Sequence, residues 1–96
     1  MSVAQLILVS LLVLSTPLLA SQDEARRLAE QGEIQSLEKL VRSANQMVAG
    51  RVIEAELKHR KDQLLYEIEI LDERGVVWEF VFDARNGKLL KKLKEE

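Results

Sequence analysis

Residues Val76 to Leu90 read VVWEFVFDARNGKLL, a run that holds the chain's only Trp and both of its Phe residues. Trp78, Phe80 and Phe82 alternate with Glu79, Val81 and Asp83, the period of two that marks a strand with one buried face. The strand stops at the polar turn Asp83-Ala84-Arg85-Asn86-Gly87, where Asn86-Gly87 can supply the positive φ of a tight reversal. Lys88 to Leu90, or slightly more, then pairs back as a short last strand.

Two similar runs precede it. Arg51 to His59 sets Ile53, Ala55 and Leu57 on one face and Glu54, Glu56 and Lys58 on the other. After the turn Arg60-Lys61-Asp62-Gln63, Leu64 to Leu71 sets Tyr66, Ile68 and Ile70 inward and Glu67 and Glu69 outward. Asp72-Glu73-Arg74-Gly75 closes this strand with a Gly-bearing turn. Short turns make consecutive strands antiparallel neighbours. Further upstream the apolar period changes to that of a helix. Ser36 suits an N-cap, and Leu37, Leu40, Val41, Ala44 and Met47 or Val48 form one stripe, with Glu38, Lys39, Arg42 and Asn45 on the other side. Ser21-Gln22-Asp23-Glu24 has the form of a capping box for an earlier helix carrying Ala25, Leu28 and Ala29, which Gly32 would end. The expected class is α+β, a helix or helix pair packed on a three- to four-stranded antiparallel meander. Trp78 and Phe80 would be core residues of such a fold, each costing ~3–5 kcal/mol when cut to Ala.

Val3 to Ala20 is apolar and free of charge, and Ser21-Gln22-Asp23-Glu24 turns polar at once. That pattern reads as a secretion signal cut after Ala20, with an uncleaved membrane anchor or a buried helix as alternatives. The absence of Lys or Arg ahead of it, and Arg26 and Arg27 behind it, are departures from the usual signal. The signal and the anchor readings, but not the buried helix, place the remaining chain outside the cytoplasmic membrane, in the periplasm or otherwise exported. Without cysteine the chain has neither a disulfide nor a lipoprotein attachment. The expected division is residues 1–20 as signal or anchor, 21–35 as a short helix and link, 36–92 as the domain and 93–96 as a charged tail.

Ninety-six residues with a net charge of −2 suit one small domain and argue against nucleic acid as a partner. No catalytic set emerges. His59 is the sole histidine, sits beside Arg60 and Lys61 at a strand end, and has no Cys or second His with which to hold a metal. Neither G-x-S-x-G, a phosphate-binding loop nor G-x-G-x-x-G occurs. The reading is a non-enzymatic chain with no cofactor and no metal site.

In the order of its elements the chain resembles the PepSY domain, the small module of peptidase propeptides and bacterial envelope proteins. The resemblance spans roughly Ser36 to Leu90. It is carried by the helix followed by Gly50-Arg51-Val52-Ile53-Glu54-Ala55-Glu56-Leu57, by Leu65-Tyr66-Glu67-Ile68-Glu69-Ile70, and most of all by Trp78 to Leu90. In that last stretch an aromatic strand runs into Asp83-Ala84 and a Gly87 that precedes a short apolar strand. Tyr66, Trp78, Phe80, Phe82, Asp83 and Gly87 are the motif positions. The resemblance implies a binding or peptidase-modulating module with no catalytic motif of its own. Independently of it, Asp83 can accept hydrogen bonds from N–H groups of its own turn.

A simple register puts Glu54, Glu56, Glu67, Glu69, Glu79 and Asp83 together on the sheet's outer face, where like charges directly opposite one another are destabilising. Lys58, Lys88, Lys91, Lys92, Lys94 or a basic partner would offset them. This face is the candidate for binding a protein partner, an envelope peptidase or a sensor protein. The alternative is an envelope protein that holds a cation or small ligand there, although the chain lacks the closely spaced oxygen-rich loop typical of Ca²⁺ sites. A membrane would be met only through Val3 to Ala20, if uncleaved, since the lysines of Lys88 to Lys94 are followed by Glu95-Glu96.

Overall fold

A computed structural model of the chain describes residues 22–95. The Val3–Ala20 segment and the Ser21 capping box fall outside these residues. Two helices precede a four-stranded sheet: α1 over residues 22–30, α2 at Leu37–Met47, β1 at Gly50–Arg60, β2 at Gln63–Asp72, β3 at Val77–Asp83 and β4 at Leu89–Lys94. The strands lie in sequence order and every neighbouring pair is antiparallel, which is the expected α+β meander.

The helix boundaries follow from their caps. At the end of α1, Gly32 N–H donates to Ala29 O (3.0 Å) and Glu33 N–H to Leu28 O (3.0 Å), the paired closure that satisfies otherwise orphaned carbonyls. Ser36 caps α2 as read from sequence, its hydroxyl accepting from Lys39 N–H at 3.2 Å. Leu40 and Ala44 of α2 are buried on the sheet's inner face, whereas Met47 is 41% exposed.

β2 is the central element. Leu64, Tyr66, Ile68 and Ile70 all point inward and are buried, next to Phe80 and Phe82 of β3 and Leu57 of β1. The Phe80 and Phe82 rings lie 6.3 Å apart and nearly parallel. Ala25 of α1 and Ile34 of the interhelix link complete the core from the other side, with Ala84 beneath the last turn. Trp78 is only partly buried and packs at the margin.

Strict alternation fails at one position. Ile53 is not an inward residue. The pairing shifts between Val52 and Glu54, so that Val52 lies opposite Ile70 and packs on the core while Ile53 is 44% exposed. The extra residue of the bulge lets Val52 face inward on one side of it and Ala55 and Leu57 on the other. Gly50 lies close to this irregularity and opposite Asp72. A Cβ there would stand 2.3 Å from Leu71 O, so the strands approach too closely for any other residue.

β4 is longer than the short piece expected. It runs to Lys94, which brings Leu93 and Lys94 into the sheet instead of a tail. A second irregularity, between Val81 and Phe82, leaves Leu90 without an opposite residue and 46% exposed.

Candidate partner-binding face

The turn after β3 holds the motif residues by local hydrogen bonding. Asp83 Oδ1 accepts from Arg85 N–H (2.8 Å) and Asn86 N–H (3.2 Å), while Gly87 N–H donates to Asp83 O and Asp83 N–H to Lys88 O, both at 2.8 Å. Gly87 has φ +76°, the left-handed conformation that a side chain resists. The turn is clamped onto the rest of the domain by the link before α2. Gln35 N–H donates to Ala84 O (2.8 Å), Gln35 Nε2 to Arg85 O (3.1 Å), and the Tyr66 hydroxyl to Gln35 O (3.3 Å). Burial, and secondarily the Glu38 charge, pushes the Tyr66 hydroxyl up to about 12, so it remains a donor. Gln35 carries no signal in the sequence alone, because its role depends on a contact between distant segments.

Asp72 plays the matching part in the turn before β3. Its Oδ1 accepts from Arg74 N–H and Val76 N–H, each at 2.9 Å, and its Oδ2 from Trp78 Nε1 at 3.0 Å. The Trp78 bond, followed by the Val76 N–H, holds the Asp72 carboxyl below its ordinary value. Trp78 thus acts as a peg at the sheet's edge, with the Lys92 ammonium 5.2 Å from its ring centroid.

On the outer face the bulge in β1 decides which acids meet. Glu54 lies opposite Glu69, and Glu69 opposite Glu79, making one row of three carboxylates across three strands. Glu56 opposite Glu67 makes a second row. Asp83 lies opposite Leu65, apart from both, with its carboxylate occupied by the turn. The second row is partly neutralised by Lys58, whose Nζ stands 3.3 Å from Glu67 and 3.5 Å from Glu56. Those partners, first the hydrogen bond to Glu67, raise the Lys58 ammonium above its ordinary value.

The first row has no such relief. Among the described residues Lys88, Lys91, Lys92 and Lys94 form no ion pair, and the register sets Lys92 and Lys94 level with Phe80 and Trp78 on the inner side. The expectation that these lysines offset the acids is therefore corrected: Lys58 alone does so. A further acid joins the row instead. Carboxylate oxygens of Glu69, Glu79 and Glu95 lie within 4.8 Å of one another. Burial first, then a hydrogen bond to Glu95 and the charges of Glu54, Glu95 and Glu79, pushes Glu69 up to about 7. Glu95 was not recognisable as part of this group, because the sequence suggested that the chain left the sheet before reaching it.

His59, elsewhere on the surface, has its Nε2 3.2 Å from Glu24 and serves to tie the end of β1 to α1. A cleft of about 470 Å³ between the helices is lined by Ala25, Ala29 and Leu37 together with polar residues. No described helix is long and apolar enough to cross a membrane.

Comparison with known families matches residues 34–93 to the model described as "Peptidase propeptide and YPEB domain", PepSY. No curated protein and no solved structure matches the chain.

Proposed function

We propose, from the premise that the chain belongs to the PepSY family, that it is an exported, non-enzymatic module whose outer sheet face binds a protein partner. PepSY domains are in general propeptide-like or inhibitor-like modules without catalysis. The partner in this reading is an envelope peptidase that the module inhibits or chaperones, or a sensor protein that it regulates. Secretion through Val3 to Ala20 would deliver it to that compartment.

The observation that carries the reading is the Glu54–Glu69–Glu79 row. Like charges on directly opposed strand positions weaken a sheet, and such a row on a small domain asks for a complementary surface. A basic patch on a peptidase or sensor would supply it and would desolvate Glu69 further. Affinity capture from an envelope extract with the full chain tests this. Replacing Glu67 and Glu69 by Lys should abolish recovery of the partner while the far-UV spectrum stays native-like and the chain still unfolds cooperatively. Recovery unchanged by that double substitution, or no specific protein recovered, would contradict it.

A second reading, cation binding, draws on the proximity of Glu69, Glu79 and Glu95. A cation would have to compete with the proton that Glu69 holds up to about 7, so it would bind more tightly as pH rises. Calorimetric titration with Ca²⁺ separates the two: a midpoint below about 1 mM favours the cation, since weaker sites lie in the range of loosely held ions.

A further inference from the structure

The acidic face lies toward β1 and the middle of the sheet, and the fourth strand offers a surface of opposite character. β4 is an edge strand, Leu89–Lys94, with no neighbour beyond it among the described residues. Its bonding pattern follows from its register. Glu95 N–H donates to Val77 O, and pairing alternates along an antiparallel ladder, so Leu93 and Lys91 turn their backbone groups toward β3. Lys92 and Lys94 therefore turn theirs toward the open edge.

The side chains along this edge are of one sign. Lys88, Lys91, Lys92 and Lys94 are all exposed, none forms an ion pair with a described residue, and Lys92 alone has a partner, in the Trp78 ring. Leu90 and Leu93 beside them are 46% and 42% exposed. The opposite edge, β1, differs in charge: it is mixed in sign, with Glu54 and Glu56 beside Arg51, Lys58 and Arg60, and Lys58 is already paired with Glu56 and Glu67. On an overall acidic chain, three lysines on an open strand, with Lys88 just before it, are a local reversal of charge.

We infer that the β4 edge takes an extended acidic segment of a partner protein as a fifth strand, with carboxylates meeting Lys92 and Lys94 on the inner side and apolar residues resting on Leu93 on the outer side. The open backbone groups supply the ladder bonds and the lysines select the sign of the incoming strand. A second copy of this chain is excluded as occupant on the same ground, because β4 against β4 would oppose lysine to lysine, the device by which edge strands avoid self-pairing. The inference rests on the binding-module reading and adds the partner's chemistry and a second contact surface.

The test uses the full 96-residue chain and a short blocked peptide of alternating Glu and Val, followed by amide chemical shifts. Titration should shift the amides of β4, Lys92 and Lys94 foremost, and the affinity should weaken with added salt. The double variant Lys92→Glu, Lys94→Glu should bind at least about tenfold more weakly, an effect of the size that charge reversal produces at a complementary edge. The same peptide methylated on alternate backbone nitrogens should also lose binding, because the ladder bonds would be blocked. Equal binding by the methylated peptide, or shifts confined to other strands, would overturn the inference. So would a silent peptide together with uptake by phosphatidylserine vesicles that the charge reversal abolishes, which would assign the lysines to a lipid surface. Failure here, with Glu67- and Glu69-dependent capture intact, removes only the edge; loss of capture removes the underlying reading.

Discussion

Glu69 and Asp83 show how two acids of one expected surface separate into different roles. Asp83 spends its carboxylate on Arg85 and Asn86 N–H groups, whereas Glu69 faces Glu54, Glu79 and Glu95. Asp83→Ala should therefore destabilise the domain by about 1–2 kcal/mol through two orphaned turn donors. Glu79→Gln should be neutral or stabilising, because it removes a like charge from the row. Urea unfolding of the two variants checks the difference in sign. The aromatic residues divide in a similar way. Phe80 is fully buried and its loss to Ala should cost ~3–5 kcal/mol, enough to unfold so small a domain. Trp78 is half-buried, so Trp78→Ala should leave a folded, weakened chain, in contrast to the equal penalty that the sequence suggested. Circular dichroism with thermal melts distinguishes the two outcomes.

At the scale of elements, β2 and β3 were legible because each alternates without interruption and has neighbours on both sides. α2 was legible because its stripe and its Ser36 cap agree. β1 and β4 were not fully legible. A bulge leaves the composition of a strand unchanged, so Arg51 to His59 reads as regular even though Val52 displaces Ile53 from the core. Leu89–Lys94, LLKKLK, has no period of two, and it is a strand because the free edge of β3 offers it a ladder. The acidic residues were found from their alternation, but their rows were not, since these depend on the one-residue shift in β1. The shift sets Glu54 opposite Glu69, whereas Glu95 reaches the row through the end of β4, where its N–H bonds to Val77 O.

For the whole molecule, the turn after β3 fastens the sheet to the helix link through Gln35, while the outer face accumulates charge that the fold does not use. Stability should record that tension as a pH dependence. Glu69 is raised from its ordinary 4.5 to about 7, so between those values the folded chain holds more proton there than the unfolded chain, and stability falls as pH rises through that window. Asp72 works in the opposite sense. Its lowered carboxyl contributes stability above 3.8 that is lost as pH falls through the folded value, so on these two groups stability peaks in mild acid. The Glu69→Gln variant, followed in parallel by unfolding from pH 4.5 to 8 and by affinity capture at about pH 8, tests the central claim most directly. The account predicts a flatter pH profile and higher stability than the native chain at pH 8, together with a clear loss of captured partner. Higher stability with undiminished capture would contradict it, for the acidic row would then be a burden on the fold that serves no partner.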